Sequence, residues 1–210
     1  SLDAGKNWNL AMSGWNARGA NGFAIDPKNA NHVMGIGGNS MDWQAHWSTN
    51  SPHGLYLSQN KAENWKQVLS ILPGIGGAVA FDPLSFDATK NCWTTAYFAS
   101  YDLGLFRSDD GGATWNNISR QPIGMANTDT KFTLLAVSSK NGAVFLAGKT
   151  GVWRSDDRGA TFQKLWDGGA VYGLSLLSLK TETIFISGAA GILRSTDGGK
   201  NWTPLAAVGL

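Results

Sequence analysis

Apolar and polar residues alternate along this chain in short runs, without the three-to-four spacing of a helix. Residues 54–58 read GLYLS, 104–108 GLFRS, 151–155 GVWRS and 191–195 GILRS. Each run opens on glycine, is mostly apolar over one strand length, and closes on serine. A second run follows each one: 65–69 WKQVL, 115–118 WNNI, 162–166 FQKLW and 202–205 WTPL. Two more precede each: 22–25 GFAI with 32–36 HVMGI, 78–81 AVAF with 93–99 WTTAYFA, 132–137 FTLLAV with 143–147 AVFLA, and 172–177 YGLSLL with 183–187 TIFIS. The pattern predicts an all-β chain of four-stranded antiparallel units.

The turn between the third and fourth strand of each unit repeats in sequence. Residues 108–115 are SDDGGATW, 155–162 SDDRGATF and 195–202 STDGGKNW; weaker copies are SLDAGKNW at 1–8 and SQNKAENW at 58–65. The copies start at 1, 58, 108, 155 and 195, a spacing that signals a repeat architecture. Serine and aspartate supply side-chain bonds within such a turn, and glycine supplies its positive-φ positions. Four-stranded units at this period predict a β-propeller. Its blades are 13–69, 70–118, 119–166 and 167–210, and residues 1–12 hold an orphan outer strand, at 8–12, of a preceding blade. Both ends then offer a fourth strand, so the chain is expected to be part of a larger propeller, with additional blades or a second propeller domain.

Bulk numbers narrow the partners. The 210 residues carry a formal net charge of +2 with no basic run, which excludes an electrostatic nucleic-acid surface. No stretch is long and apolar enough for a membrane helix. Cys92 is the single cysteine, so no intrachain disulfide forms. His46 and His53 stand near Asp42, but their spacing fits no metal motif, and no metal or cofactor is expected.

Strand order sorts the connections onto two faces. The repeated turns share one face, so Ser108, Asp110, Gly112 and Trp115 read as scaffold. So do Ser155, Asp157, Gly159 and Phe162, and Ser195, Asp197, Gly199 and Trp202. Arg107, Arg154 and Arg194 repeat in register with them and read as packing or surface groups. The opposite face collects the irregular loops. Loop 11–21 holds Trp15, and the long insertion 37–53 holds Trp43 and Trp47. The short turn after residue 100 holds Tyr101 and Asp102. Aromatic rings beside amides and carboxylates suit a sugar, whose C–H faces stack while its hydroxyls bond at the edge. Trp15, Trp43, Trp47 and Tyr101 are therefore the candidate substrate-binding residues.

The motif S-x-D-x-G-x-T-W resembles the Asp-box (BNR) repeat of sialidase-like propellers. Ser108, Asp110, Gly112, Thr114 and Trp115 match it in full. Such repeats occur in sialidases, xyloglucan-cleaving glycoside hydrolases, sortilin-like receptors and photosystem assembly factors. The segment YFASYDLGLFR at 97–107 is similar to the one around a catalytic aspartate in the xyloglucanase-type family, and 22–38 and 78–83 look like its first and second strands. That resemblance implies a secreted or periplasmic glycoside hydrolase acting on a β-glucan such as xyloglucan, with Asp102 as one of two catalytic carboxylates. It departs from the family in having Leu103 after Asp102 and no nameable second carboxylate. A sialidase would need three arginines on the loop face, where only Arg18 and Arg120 fall. The alternative is a non-catalytic recognition or assembly propeller, lectin-like, sortilin-like or photosystem-assembly-factor-like.

Overall fold

A computed structural model describes residues 5–17, 19–38, 52–70, 77–100, 103–119, 132–178 and 182–205. It is all-β, and the described residues contain no helix. The first sheet is β1 (Ala20–Ile25), β2 (Val33–Gly37), β3 (Gly54–Ser58) and β4 (Lys66–Ser70). The second joins β5 (Gly77–Phe81), β8 (Ala96–Ser100), β9 (Gly104–Ser108) and β10 (Asn116–Ser119), with a two-stranded insert of β6 (Phe86–Asp87) and β7 (Cys92–Trp93). The third is β11 (Phe132–Val137), β12 (Val144–Gly148), β13 (Gly151–Ser155) and β14 (Gln163–Trp166). The fourth is β15 (Val171–Ser178), β16 (Glu182–Gly188), β17 (Gly191–Ser195) and β18 (Thr203–Pro204). Each is antiparallel in chain order, like a propeller blade.

The middle ladder has one register throughout. Gly37 faces Gly54, Ser100 faces Gly104, Gly148 faces Gly151 and Gly188 faces Gly191. Bulges interrupt the first ladder of the first, third and fourth sheets, where the extra residue sharpens the twist. The insert departs from the sequence reading, which ran one strand through 93–99. Asp87 accepts the Thr89 amide and hydroxyl and closes a local hairpin, so Cys92–Trp93 pairs with β6 before β8 begins. Residues 8–12 form no ladder in this chain; Ser13 instead makes a parallel bridge to Asn64.

The core lies between sheets. Tyr97, Ala99 and Leu105 of the second sheet pack on Val144, Leu146 and Trp153 of the third. Phe145, Ala147 and Val152 continue from the other side of the third sheet onto Ile184, Ile186 and Leu193 of the fourth. Strand β12 is thus buried on both faces, which explains its unbroken apolar run. Each such side chain contributes about 1.5–3 kcal/mol on burial. The four sheets follow one another without closing into a ring.

Candidate functional site

The repeated turns are built from side chains inward. The Ser108 hydroxyl donates to Asp110 Oδ1 at 2.8 Å and accepts from the Gly112 amide at 2.8 Å. Asp110 Oδ1 also accepts the Thr114 amide at 2.9 Å, and Oδ2 accepts the Thr114 hydroxyl at 2.5 Å. Ser155, Asp157 and Thr161 repeat this, and Asn201 replaces the threonine around Asp197. The fifth position of each box is left-handed, and at Gly199 (φ 96°) a Cβ would run into the Leu165 side chain. The box at Ser58 forms the same bonds through Asn60, although Lys61 and Ala62 sit at φ 60° and 67°.

These carboxylates are saturated with donors. The Thr161 hydroxyl and amide hold Asp157 at about 2, and the Asn201 amide and side chain hold Asp197 at about 2. Burial pushes Asp110 up, but donation from Thr114 and Ser108 outweighs it and leaves the group below its ordinary value. A carboxylate held this firmly ionised is a poor proton donor near neutral pH. Beside the boxes, Arg107 grips Asp109 and Arg154 grips Asp156. Arg154 also reaches Glu182 of the next sheet at 2.6 Å. A cavity of about 700 Å³ opens there, lined by Lys164, Lys200 and Asp197.

The opposite face is framed by the second-to-third-strand connections. Ile36 and Leu55, near the Gly37/Gly54 pair, pack on Phe98 and Phe106, near the Ser100/Gly104 pair. The connections of the first two sheets therefore leave from the same end. Tyr56 donates its hydroxyl to the Pro52 carbonyl at 2.5 Å, and Gln67 donates to the His53 carbonyl at 3.0 Å, anchoring the long insertion where it returns. Asn117 donates to the Leu103 carbonyl at 3.1 Å, just before β9 begins at Gly104. Three residues separate Ser100 from Gly104, against two in the third and fourth sheets. Trp43, Trp47, Tyr101 and Asp102 lie outside the described residues. Asp167, after β14, is exposed on the same face.

Trp15 is placed differently from an open sugar platform. It is 9% exposed and stacks on Tyr56 at 4.5 Å, with Trp65 edge-on at 5.0 Å and Phe23 at 5.9 Å. Its ring covers the side of the first sheet that faces away from the second. With Met12, Phe23 and Trp65 it lines a shallow apolar groove of about 260 Å³. Sequence reasoning missed this groove; its signal was the outward alternation of Phe23 and Ile25 along β1, which are 54% and 60% exposed. Among the described residues no three of His, Cys, Asp and Glu are grouped to hold a metal. Burial, followed by the Asp26 charge, pushes the Cys92 thiol up and away from nucleophilic reactivity. No described helix is long and apolar enough to cross a membrane.

Comparison with known proteins fits this geometry. The BNR/Asp-box repeat family matches residues 193–204. No curated protein matches the chain. Among solved structures, the GH74 xyloglucanase from Xanthomonas campestris superposes with a TM-score of 0.63 at 19% identity, covering 89% of this chain and 30% of that one. An ancestral GH74 enzyme gives 0.67 at 18% identity, covering 93% and 25%. YCF48 bound to D1 peptide gives 0.57 at 15% identity, covering 88% and 54%. The chain thus spans under a third of those two GH74 structures and about half of the YCF48 one. At these identities the likeness is one of fold: the chain carries an Asp-box repeat on sheets arranged like those of xyloglucanase-type propellers.

Proposed function

We propose that this chain is part of a secreted or periplasmic carbohydrate-active propeller that acts on a β-glucan such as xyloglucan. Each sheet with its box is one blade, as 13–69, 70–118, 119–166 and 167–210. Residues 8–12 belong to a preceding blade, and further blades or a second propeller complete the protein. Substrate lies on the face opposite the boxes. The observation that carries this reading is the shared end of the first two sheets. It brings the roots of the tryptophan-rich insertion and of the Asp102 turn to one face. Trp43, Trp47 and Tyr101 stack sugar rings there, and Asp102 is one of two catalytic carboxylates. Trp15 acts from beneath, by holding Tyr56 and so the return of the insertion at Pro52.

Glycoside hydrolysis needs a second carboxylate roughly 5–9.5 Å from the first. A non-catalytic recognition propeller is the second reading. It is favoured by the absence of a nameable second carboxylate in the sequence, and by the fold likeness to YCF48 bound to D1 peptide. Binding and then cleavage of xyloglucan, mixed-linkage β-glucan and sialosides separates the two. Asp102→Asn keeps the shape and removes the charge. Loss of most turnover with retained xyloglucan binding supports the hydrolase. Hydrolysis within a few-fold of the parent removes Asp102 from the chemistry, and binding without any cleavage moves the protein to the lectin-like class.

A further inference from the structure

On the face that carries the boxes, a buried ion pair joins the first sheet to the second. Asp26 follows β1, and its carboxylate is filled with donors. Oδ1 accepts the Lys28 amide at 2.9 Å and the Asn29 amide at 3.1 Å. Oδ2 accepts the Trp93 amide, from the insert of the second sheet, at 2.9 Å. The same oxygen lies 3.3 Å from Nδ1 of His32, the residue before β2. The other ring nitrogen, Nε2, lies 2.6 Å from the Gly111 carbonyl in the box of the second sheet. Asp26 is fully buried, and His32 is 4% exposed.

Counting hydrogens fixes the state of the ring. A carbonyl oxygen carries none, so Nε2 must donate to Gly111. Asp26 carries none either: burial pushes its carboxyl up, but the Trp93 and Lys28 amides and His32 outweigh that and leave it below its ordinary value. Nδ1 must then donate as well, and only the imidazolium has both N–H groups. A neutral ring would turn a bare lone pair towards Oδ2 or towards the Gly111 carbonyl. Between the third and fourth sheets a permanent cation makes the matching bond. Arg154 donates to the Gly198 carbonyl at 3.3 Å, and Gly198 holds the place in its box that Gly111 holds in the second.

The charged surroundings of the ring are few. A cavity of about 190 Å³ opens beside it and is lined also by Asp110, Lys90 and Cys92. Burial of Asp110 is outweighed by its Thr114 donors, so it adds a second anion. Lys90 turns to Asp87 at 3.7 Å, and Lys28 to the Phe86 ring at 4.1 Å. Burial, followed by the Asp26 charge, keeps the Cys92 thiol protonated. From β5 the Phe81 ring packs on the imidazole at 4.8 Å, while Asp82 beside it lies near Gly142 of the third sheet.

We infer that Asp26, His32 and the Gly111 carbonyl form a pH-sensitive clasp, which holds the first sheet to the second while the ring is an imidazolium and loosens that junction when the ring loses a proton. Both bonds are made on the acid side, down to the point where Asp26 itself is protonated. One of them is lost as pH rises and the ring becomes neutral. These are the two sheets whose second-to-third-strand connections leave from one end on the opposite face, so the clasp also sets how those connections stand to each other. It holds whether or not that face binds a glycan.

The test is nuclear magnetic resonance of the intact protein, isotopically labelled in its histidine nitrogens, with His32 identified by its Overhauser contact to Phe81. At mildly acidic pH both His32 nitrogens are expected to carry hydrogen; on the alkaline side Nδ1 is expected to lose it and Nε2 to keep it. Over the same change, protection of the Trp93 amide from hydrogen exchange, corrected for intrinsic chemistry, is expected to fall about tenfold, and that of the Gly198 amide to stay within about twofold. His32→Gln is expected to remove the pH dependence at Trp93. The clasp is ruled out if one His32 nitrogen is bare at every pH where the protein is folded, or if Trp93 protection falls no more than that of Gly198. It is also ruled out if His32→Gln shows the same fall. The ring signals need no variant, so they decide the matter even where His32→Gln fails to fold.

Discussion

The first and fourth sheets each have one side that packs on no other described sheet, yet those sides are covered differently. The first covers its outward face with its own chain: Trp15 lies on Tyr56 and Trp65, and the Trp65 amide donates to the Ser13 carbonyl at 2.7 Å. The fourth leaves Tyr172, Ile192 and Arg194 in the open. Trp15, a loop residue, thus covers the side of the first sheet that faces away from the second, whereas among the described residues nothing comparable lies over Ile192.

The sharpest way to break this comparison is Trp15→Ala. It empties the centre of a four-ring cluster and is expected to cost about 3–5 kcal/mol in chemical denaturation. Amide exchange should rise first in β3 and β4. Ile192→Ala on the bare face is expected to stay within about 0.5 kcal/mol in residues 1–210 alone. Equal losses at the two positions would erase the distinction between a lidded and an open sheet.

Arginine offers the next contrast. Arg154→Met strands the buried Glu182 carboxylate, which is 7% exposed, and is expected to destabilise by about 3 kcal/mol. Arg194→Met, with no carboxylate paired to it among the described residues, should change residues 1–210 by no more than about 0.5 kcal/mol. Differential scanning of both variants measures this.

Acid should affect the third and fourth sheets similarly, because both have boxes with strongly depressed aspartates. Asp157 and Asp197 sit at about 2, below the unfolded value of about 3.9. Their contribution is complete above about pH 4 and is lost as pH falls towards 2. Both turns are solvent-washed, so the loss is small. Asp157→Asn should remove part of the acid dependence of the denaturation midpoint, and an unchanged pH profile would count against the turn's role.

The smallest change concerns the box at Ser58, which bends through left-handed Lys61 without glycine. Lys61→Gly relieves that conformation at an exposed position and is expected to stabilise the first sheet by about 0.5–1 kcal/mol. A thermal melt of the single variant suffices to check it.

Much of the fold was legible because its signals are local. A box closes with bonds spanning two to four residues, as Ser155 to Asp157 and Asp157 to Thr161 show. Period-two alternation marked the strands on either side. The strand read at 93–99 begins only at Ala96, because the hairpin at Asp87 competes for Cys92–Trp93, whose pairing depends on residues some six positions upstream. The candidate site was legible only as a choice of face. Trp15 in loop 11–21 read like a sugar platform, since an exposed and a packed tryptophan have the same local sequence.

The chain by itself determined its turns, its repeat and the common ladder register. All three follow from hydrogen bonds and backbone angles within a few residues. Tertiary structure alone decided which faces are covered and which ions pair. Residues 151–155 (GVWRS) and 191–195 (GILRS) carry one pattern, yet Val152 is fully buried and Ile192 is 54% exposed. Arg154 finds Asp156 two residues away but Glu182 only across a sheet boundary. Burial and ion pairing depend on the neighbouring surface, so two like strand patterns diverge where a described sheet packs on one and none packs on the other.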